Sequence, residues 1–354
     1  NRIKGNMGNR KVLFLATSRK TRGGIAAVLN TYTRLSFWNE YHVRWIGTHI
    51  DRSQCQKWWR AVKALLSYIC CIGFYDLVHI HVGELPSIKR KFIFFKLAKF
   101  CRKKVVIHLH IGNQLDGYRD NKLCRELLEG ADAIIVLSQS IRTKISAYFG
   151  VGEKVHVIYN PCSIVSNVHY SDQHKYILFA GTLNQNKGYA VLIKAFAKIA
   201  IQFPDWRLVL AGNGELEQAQ QLVKDLGIEH QVVFAGWVTD SKKEQLFREA
   251  SVFCLSSYAE GFPMAVLDAW SYGIPVVSTP VGGLPDVLKD NENALLFQPG
   301  DVDMLAEKFI QVLSDATCRK RLSSASLALS KGLFSIQTIN SQIEALYEIC
   351  LTTN

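Results

Sequence analysis

Long apolar runs and clustered cysteines are both absent from this sequence of 354 residues. No stretch approaches the roughly 20 apolar residues that a membrane-spanning helix needs. The first apolar run, Val12 to Ala16, is too short for a signal peptide and is followed by polar residues. The nine cysteines are scattered, and none of their spacings is typical of a metal site. We therefore expect small core cysteines in a reducing, cytoplasmic compartment.

Acidic residues are scarce in the first half of the chain. Residues 1–165 contain 27 lysines and arginines but only 10 aspartates and glutamates, whereas residues 166–354 contain 15 and 20. The net charge of +12 therefore comes from the first half. Such an asymmetry indicates that this half faces a polyanion, either a nucleic acid or an anionic membrane.

Both halves contain short, continuous apolar runs separated by helical patterns. Runs of this kind are typical of strands covered on both faces, and their alternation with helices predicts parallel sheets. In the first half the predicted strands are Lys11–Thr17, His42–Thr48, Asp76–Val82, Val105–His110, Ala133–Ser138 and Val155–Tyr159. In the second half they are Tyr176–Gly181, Arg207–Gly212, Val232–Gly236, Ser251–Leu255, Pro275–Thr279 and Ala294–Phe297. The sequence therefore predicts an α/β protein with two doubly wound, Rossmann-like domains.

The weakly patterned segment Asn160–His174 is the best candidate for a linker between these domains. We expect an N-terminal domain over residues 1–162, a C-terminal domain over 163–335, and a final helix over 336–354 that returns to the N-terminal domain. Ligands of open parallel sheets bind outside the carboxyl ends of the strands. We therefore expect the two domains to face each other across one cleft.

The most specific motif is Glu260-Gly-Phe-Pro-Met-Ala-Val-Leu-Asp268, at the junction of a predicted strand and a predicted helix. Gly261 lets the backbone approach a ligand, and Pro263 suits the first turn of a helix, where no N–H is needed. The amides that can then bind a phosphate at the helix N-terminus are those around Phe262, Met264 and Ala265. With a carboxylate on either side, this segment predicts a sugar-nucleotide site. In the alternative interpretation, Glu260 only complements the helix dipole and Asp268 is solvated.

A lysine follows the first predicted strand of the second half, in Gly181-Thr-Leu-Asn-Gln-Asn-Lys187-Gly188. The first glycine allows a turn, and Lys187 can reach back over the strand end to neutralise a diphosphate. Gly212, in the turn after the next strand, can let a ligand approach the backbone closely. Both features also occur in ordinary surface loops.

These motifs resemble those of the retaining glycosyltransferases of family 4, the glycosyl transferases group 1, which have the GT-B fold. The family signature has two glutamates eight positions apart, and they fall here on Glu260 and Asp268. The resemblance covers nearly all of the second half, through Gly181-Thr-Leu, Phe234-Ala-Gly-Trp-Val238, Gly273-Ile-Pro-Val-Val277 and Gly282-Gly-Leu-Pro-Asp286.

The resemblance implies a donor site in the C-terminal domain. Glu260 then binds hydroxyls of the donor sugar, Asp268 binds the ribose, and Lys187 neutralises the diphosphate. The backbone at Trp237 or Val238 meets the base. The other implied donor-binding residues are Thr182, Gly212, Gly261, Phe262, Pro263 and Met264. Because the family needs no metal ion at this step, we expect neither a metal nor a cofactor.

Two positions depart from the family pattern. Thr182 stands where the family usually has an arginine, so one diphosphate cation is missing or comes from elsewhere; the candidates are Arg19, Lys20 and Arg22. Asp268 is one methylene shorter than glutamate, so its contact with the ribose needs a water molecule or a closer approach.

The first half resembles the family more weakly. Gly23 and Gly24 match the glycine loop that lies against the donor diphosphate. His110 matches the active-site histidine near the donor sugar, and His81 and Asn113 are implied on the acceptor side. We expect the other two histidines of these strands, His79 and His108, to be hydrogen-bonded core residues. A metal site built from the four histidines is the alternative, although no carboxylate or cysteine has a matching spacing.

Two basic and aromatic stretches of the first half have the profile of interfacial membrane segments. Pro86–Lys104 contains eight basic residues, four phenylalanines and no acidic residue. Trp58, Trp59, Arg60 and Lys63 precede a second apolar stretch, Ala64–Tyr75. Both segments predict contact with an anionic membrane surface, or else two ordinary helices that cover the sheet.

We therefore expect a retaining, metal-independent glycosyltransferase. It would move a hexose or N-acetylhexosamine from a nucleotide-sugar, preferably a UDP-sugar over a GDP-sugar, to a glycan hydroxyl on a lipid-linked or oligosaccharide acceptor. The expected setting is bacterial surface polysaccharide or glycolipid synthesis at the cytoplasmic face of the membrane. The alternatives are a catalytically silent or epimerase-like GT-B relative and, more distantly, a nucleic-acid-binding module, for which no recognition motif is present.

Overall fold

A computed structural model describes residues 10–19, 21, 24–50 and 53–353 of the chain. The chain divides into two compact units. The N-terminal unit comprises Asn1–Pro161 and Ile336–Asn354, and the C-terminal unit comprises Cys162–Ser335. Three residues considered in the sequence analysis, Lys20, Arg22 and Gly23, lie outside the described residues, as does the side chain of Asn113.

The described part of the N-terminal unit contains a six-stranded sheet in the order β2-β1-β3-β4-β5-β6. All neighbouring strands are parallel. The strands are β1 (Val12–Ala16), β2 (Arg44–Gly47), β3 (Leu77–Val82), β4 (Lys104–Leu109), β5 (Ala133–Val136) and β6 (Val155–Val157). Every residue of β1, β3 and β5 is buried, which explains why β1 and β5 are continuous apolar runs rather than alternating ones.

Seven described helices accompany this sheet. They are α1 (Gly24–Tyr32), α2 (Ser36–Glu40), α3 (Gln54–Cys71), α4 (Leu85–Phe100), α5 (Lys122–Glu129), α6 (Gln139–Phe149) and, after the chain has passed through the C-terminal unit, α13 (Ile336–Thr352). The last helix is held by polar contacts to α2 and the turn that follows it. The Phe37 amide donates to Asn340 Oδ1 at 3.1 Å, and the Tyr41 hydroxyl donates to Glu348 Oε1 at 2.7 Å.

The described C-terminal unit contains a second parallel sheet of six strands, in the order β12-β11-β10-β7-β8-β9. Its strands are β7 (Tyr176–Ala180), β8 (Arg207–Ala211), β9 (Val232–Phe234), β10 (Val252–Leu255), β11 (Val276–Ser278) and β12 (Leu295–Leu296). Its helices are α7 (Tyr189–Ile199), α8 (Leu216–Asp225), α9 (Asp240–Glu249), α10 (Met264–Ser271), α11 (Val302–Ser314) and α12 (Ala316–Lys331). The strand order reverses between β7 and β10, so this edge of the sheet has a topological switch point.

The predicted α/β class with two parallel sheets is confirmed, and each of the twelve apolar runs contains a strand. The observed strands are one to three residues shorter than most predicted runs, because the flanking residues enter turns. The arrangement of the two domains about a cleft stays a prediction. No described helix is both long and apolar enough to span a bilayer.

Candidate functional site

The switch point of the C-terminal sheet brings Lys187 and Glu260 together. Lys187 follows β7, and Glu260 follows β10, its neighbour in the sheet. Lys187 Nζ lies 2.5 Å from Glu260 Oε1. The Ser257 hydroxyl donates to the same carboxylate oxygen at 2.7 Å. Since 12% of the Glu260 side chain and 28% of the Lys187 side chain remain exposed, the pair is accessible to a ligand.

The loops that hold this pair are tied to each other through their backbones. The Tyr258 amide donates to the Asn186 carbonyl at 2.8 Å, and the Ser256 hydroxyl donates to the Lys187 carbonyl at 2.9 Å. Gly188 has φ +65°, and a Cβ atom there would lie 2.1 Å from the Ser256 carbonyl oxygen. A side chain at this position would therefore push the two loops apart and separate the pair.

Gly212 has a packing role in the structure. A Cβ atom at Gly212 would lie 1.8 Å from the carbonyl oxygen of Gly181, so the turns after β7 and β8 touch directly. The close approach that the structure shows at Gly212 is to Gly181, and its contact with a ligand stays a prediction. Gly212 is buried, and it therefore shapes the site from behind.

Helix α10 begins at Met264, one residue later than the sequence indicated, with Pro263 as its N-cap. The Phe262 ring is buried and packs 5.2 Å from the Phe334 ring, so this side chain belongs to the core. The amides of Met264 and Ala265 are in the first helical turn, where they have no intrahelical acceptor. Their residues are partly accessible. This end of α10 therefore presents a partial positive charge next to Glu260 and Gly261.

Asp268 lies on α10 and forms an ion pair that the sequence analysis missed. Its Oδ2 is 2.6 Å from Lys243 Nζ, and its Oδ1 accepts a hydrogen bond from the Ser163 hydroxyl at 3.4 Å. The Asp268 side chain is 13% exposed, and that of Lys243 is 40% exposed. Lys243 lies on α9, which begins shortly after Trp237 and Val238, so the segment after β9 and the second acid are joined by this contact.

The other candidate residues of the C-terminal unit lie at the carboxyl ends of its strands. Thr182 follows β7 and is partly accessible, and Trp237 follows β9 and is 43% exposed. Val238 is partly accessible. Of the three cations proposed to replace the arginine that is missing at Thr182, Arg19 is among the described residues. Its guanidinium stacks 4.9 Å from the centre of the Trp45 ring, within the N-terminal unit.

Four histidines form a stacked ladder on one face of the N-terminal sheet. His79 and His81 belong to β3, His108 belongs to β4, and His110 follows it. Successive ring centres lie 4.5 Å (His79–His81), 4.7 Å (His81–His108) and 4.4 Å (His108–His110) apart. His110 Nε2 shares a hydrogen bond of 3.0 Å with His81 Nδ1, and His79 Nδ1 shares one of 2.5 Å with the Tyr347 hydroxyl of α13.

Burial keeps this ladder neutral. Desolvation lowers the pKa of His79 and that of His110 to about 3, and it lowers the pKa values of His81 and His108 well below the usual range. His110 is partly accessible, whereas the other three side chains are fully buried. The His81 ring has no exposed surface and shares its hydrogen bond with His110. Its assignment to the acceptor side stays a prediction.

The ring nitrogens of these histidines do not point to one common metal position in this arrangement. Ligand atoms of His79, His81 and His108 lie within 4.8 Å of one another. However, the His79 and His81 rings are stacked at 9°, and those of His81 and His108 at 30°. A metal ion lies in the plane of each imidazole that binds it, and stacked rings have no common in-plane point. His79 and His108 are buried, as expected, and His79 is hydrogen-bonded to Tyr347. The expected hydrogen bond of His108 is not found, since neither of its ring nitrogens has a partner among the described residues.

Two further candidates lie at the carboxyl ends of β1 and β4. Gly24 begins α1 after the residues that the structure does not describe. Asn113 begins a short 3-10 turn over Asn113–Tyr118, beyond His110. Both residues therefore follow strands of the N-terminal sheet at the edge where His110 stands.

Two family profiles together match most of the chain. Glycosyltransferase Family 4 matches residues 46–164, and Glycosyl transferases group 1 matches residues 166–328. An uncharacterized glycosyltransferase of Methanocaldococcus jannaschii is 30% identical over 68% of this chain and 67% of its own length. Lipopolysaccharide 1,6-galactosyltransferase of Salmonella typhimurium is 30% identical over 61% of this chain and 62% of its own.

Among solved structures, Anabaena HepE in complex with UDP is similar over 96% of this chain and 100% of that chain, with a TM-score of 0.77 and 20% identity. Sucrose-phosphate synthase from Thermosynechococcus elongatus has a TM-score of 0.78 and 19% identity, over 96% of this chain and 99% of its own. At such identities the likeness shows the fold. The profiles, the archaeal relative and the two sheets agree, and the chain is a glycosyltransferase that belongs to family 4, the glycosyl transferases group 1, with a GT-B-like fold.

Proposed function

We propose that the protein is a retaining glycosyltransferase that moves a hexose or N-acetylhexosamine from a UDP-sugar to a hydroxyl of a glycan acceptor. The observation that carries this proposal is the accessible Lys187–Glu260 pair at the switch point of the C-terminal sheet, beside the start of α10. A cation, a carboxylate and a helix N-terminus within one small region suit a ligand that has both phosphates and sugar hydroxyls.

The ion pair suggests how the site accepts its donor. Without a donor, Lys187 and Glu260 neutralise each other at 2.5 Å. With a donor, Lys187 turns to the diphosphate and Glu260 accepts hydrogen bonds from sugar hydroxyls. Ser257 stays on Glu260 and keeps the carboxylate in place. After the exchange Lys187 is paired with the diphosphate and Glu260 is hydrogen-bonded by hydroxyls, so neither charge is left without a partner, which limits the cost of burying it.

The site stabilises most strongly the transition state in which the nucleotide leaves. Cleavage of the sugar–phosphate bond produces an oxocarbenium-like sugar and a leaving diphosphate. Lys187 and the first-turn amides of α10 stabilise the negative charge that develops on the diphosphate. The acceptor hydroxyl attacks the face that the leaving group vacates, its oxygen bonds to the anomeric carbon, and its proton passes to the departing phosphate oxygen. Retention of configuration follows, and no metal ion is needed.

We assign ribose recognition to Asp268 and the position of the base to the backbone at Trp237 and Val238. The Lys243–Asp268 pair links these two segments, so it compensates for the shorter acid by fixing its carboxylate. We also assign a role toward a sugar hydroxyl to His110, whose pKa is lowered to about 3 by burial, so that its neutral ring can accept or donate a hydrogen bond without adding charge.

The preference for UDP and for a lipid-linked acceptor is supported by relatives. Solved structures of Anabaena HepE contain UDP and UDP-glucose. A Campylobacter jejuni relative, 31% identical over 54% of this chain, is named as an N-acetylgalactosaminyltransferase that acts on a glycan attached to PP-undecaprenol. This chain matches only 40% to 67% of the length of the first curated relatives, so their acceptors are guides to the class of molecule. We propose a peripheral site of action, at the cytoplasmic face of a membrane.

A thermal-shift screen against UDP, GDP, ADP and their sugars tests the donor. A ligand present at about 100 times its Kd stabilises the folded state by about 2.7 kcal/mol, which corresponds to a rise in Tm of about 5 °C or more for a unit of this size. We expect UDP and a UDP-sugar to give this rise and Lys187→Ala to abolish it. If no nucleotide raises the Tm, the donor site is wrong; if GDP alone does, the choice of base is wrong.

A further inference from the structure

Helix α3 of the N-terminal unit carries an apolar face that points away from the sheet. Ala64, Tyr68 and Cys71 are buried against the unit. On the opposite side, at 100° per residue, seven apolar residues fall within an arc of roughly 120°. All seven are exposed: Cys55, Trp58, Trp59, Val62, Leu66, Ile69 and Cys70. We call them the outward face of α3.

The two tryptophans make this face unusual. Trp58 is 73% exposed and Trp59 is 76% exposed, on a helix of 18 residues that is about 27 Å long. Scattered exposed apolar residues are ordinary on a protein surface, but a continuous stripe along a whole helix marks an interaction site. Large aromatic side chains gain the most favourable free energy when they are transferred from water to an apolar environment.

Helix α4, the more basic stretch, has a different arrangement. It buries Ile88, Phe94 and Phe95 against the sheet, so most of its aromatic side chains belong to the core. Its exposed Lys96 and Lys99 are paired with acidic residues, Glu126 and Asp132 respectively. Helix α4 is therefore a sheet-covering helix, and of the two stretches that the sequence singled out, α3 is the one with an uncovered apolar face.

Basic and aromatic residues continue this surface beyond the C-terminal end of α3. The Lys103 ammonium donates to the Gly73 carbonyl at 3.1 Å, which places the loop after α4 next to the turn after α3. Phe74, in that turn, is 73% exposed, and Phe100, at the end of α4, is 86% exposed. Helix α3 itself contains Lys57, Arg60 and Lys63 and no acidic residue. The apolar face is thus bordered by positive charge.

We propose that the outward face of α3 docks on a lipid bilayer that contains anionic headgroups. A helix with tryptophans and aliphatic residues on one side and lysines and arginines around it lies in the plane of the interface, with its apolar face buried roughly 5–10 Å deep. Tryptophan favours this depth, and the basic border attracts anionic lipids. The inference deepens the proposed function, since a lipid-linked acceptor would be met at the same surface.

Charge favours a bilayer over a second copy of this chain as the occupant. A symmetric dimer across α3 would bring two basic borders together, because both copies present the same surface. Like charges at such a border oppose association. An anionic bilayer neutralises the same residues instead.

Vesicle flotation of the full-length protein tests the proposal. Vesicles of phosphatidylcholine with 30% phosphatidylglycerol are compared with vesicles of phosphatidylcholine alone, at low salt. We expect binding to the anionic vesicles, and a decrease of about tenfold or more in partitioning for Ile69→Lys, which puts a charge at the centre of the apolar face. Trp58→Ala/Trp59→Ala should weaken binding on both kinds of vesicle.

The chain provides a matched control in Ile201, an isoleucine of the C-terminal unit that is 97% exposed. Ile201→Lys introduces the same charge and should leave vesicle binding within about twofold of wild type. Because both isoleucines face solvent, both variants should keep the wild-type Tm.

Three outcomes would overturn the proposal: no flotation of wild-type protein with anionic vesicles, an equal loss with Ile201→Lys, or a dimer in light scattering that Ile69→Lys dissociates. The last result would assign the face to a second copy of the chain. The UDP thermal shift of the same variants separates this proposal from the donor assignment. Vesicle binding without a nucleotide shift keeps the membrane surface and rejects the donor site, and the reverse result does the opposite.

Discussion

In the C-terminal unit the charged side chains stand beyond the strand ends, whereas in the N-terminal unit three histidines lie within the strands and a fourth follows directly. Lys187 and Glu260 are partly solvated and oppositely charged, so they can exchange partners when a ligand arrives. The histidines are packed ring on ring, are kept neutral by burial, and hold one another in place. We therefore propose that the C-terminal sheet uses its polar residues for binding, whereas the histidines of the N-terminal sheet serve to orient one another.

The position of a polar residue along its strand decides whether it can contact a ligand or can only orient a neighbouring side chain. Residues of the loops after parallel strands keep access to water and to ligands. Residues within a central, fully covered strand such as β3 have none. His110 stands at the boundary, since it follows β4 and is partly accessible while its partner His81 is fully buried.

The largest effect is expected from Glu260→Ala. Removal of the carboxylate eliminates the contact with the donor sugar and leaves Lys187 without its counter-ion, so we expect the rate of transfer to fall by about 10³-fold. Glu260→Gln preserves the shape and removes only the charge, and it should be nearly as inactive. Far-UV circular dichroism and the Tm are the controls for folding. Transfer at a wild-type rate by either variant would contradict the assigned role.

Lys187→Ala should follow, with a decrease of about 10²-fold in kcat/KM. Without the Lys187 ammonium the negative charge on the leaving diphosphate is less stabilised in the transition state. We therefore expect kcat to fall more than KM rises. Lys194, a lysine on the exposed side of α7, is a matched control, and Lys194→Ala should leave both constants unchanged. The role is wrong if the two variants behave alike.

Acidification should distinguish the two units. The pKa of His79 is lowered to about 3, against 6.5 for an ordinary histidine, so the unfolded chain binds a proton between these values that the folded chain does not. The free energy of unfolding therefore decreases as the pH falls below about 6.5, by about 1.4 kcal/mol per pH unit for one such histidine. Between pH 6.5 and pH 5 this loss is about 2 kcal/mol.

Urea unfolding at pH 6.5 and pH 5 measures this loss. His79→Gln should reduce the pH dependence, whatever its effect on stability at neutral pH, because it removes one titrating group. His230→Gln serves as the control, since His230 is exposed and should leave the dependence unchanged. An identical pH dependence in wild type and His79→Gln would show that His79 is not held neutral by burial.

Local pattern was sufficient to predict the strands, and motifs similar to those of the family identified Lys187 and Glu260 as candidates, although their contact is seen only in the structure. The apolar runs that gave β3 and β4 are contiguous in sequence, and the Glu260 motif includes its own glycine and proline. By contrast, Lys91 lies in the run Lys89-Arg90-Lys91, which looks solvated in sequence. In the structure Lys91 is fully buried and donates to the His81 carbonyl, and burial lowers its pKa to about 7.

The surroundings of His81 and His79 also could not be predicted, because they depend on residues that are distant in sequence. His81 was assigned to the acceptor side because it ends a strand, and only its neighbours in space show that it is covered. The Tyr347 partner of His79 lies 268 positions along the chain. Contacts of this separation depend on how helices such as α13 return to the sheet, which periodicity does not encode.

The smallest effect concerns Lys243, the residue that the sequence analysis missed. If the Lys243–Asp268 pair positions the carboxylate for ribose, Lys243→Ala should raise the KM for the donor several-fold and leave kcat nearly unchanged. Since Lys243 is 40% exposed, the change in stability should stay within about 1 kcal/mol. Lys243→Arg should restore most of the affinity, whereas Lys242→Ala, on the neighbouring exposed lysine, should change nothing. Equal KM values for Lys243→Ala and Lys242→Ala would mean that Asp268 needs no partner. The proposed binding role of charged pairs in the C-terminal unit would then rest on Lys187 and Glu260 alone.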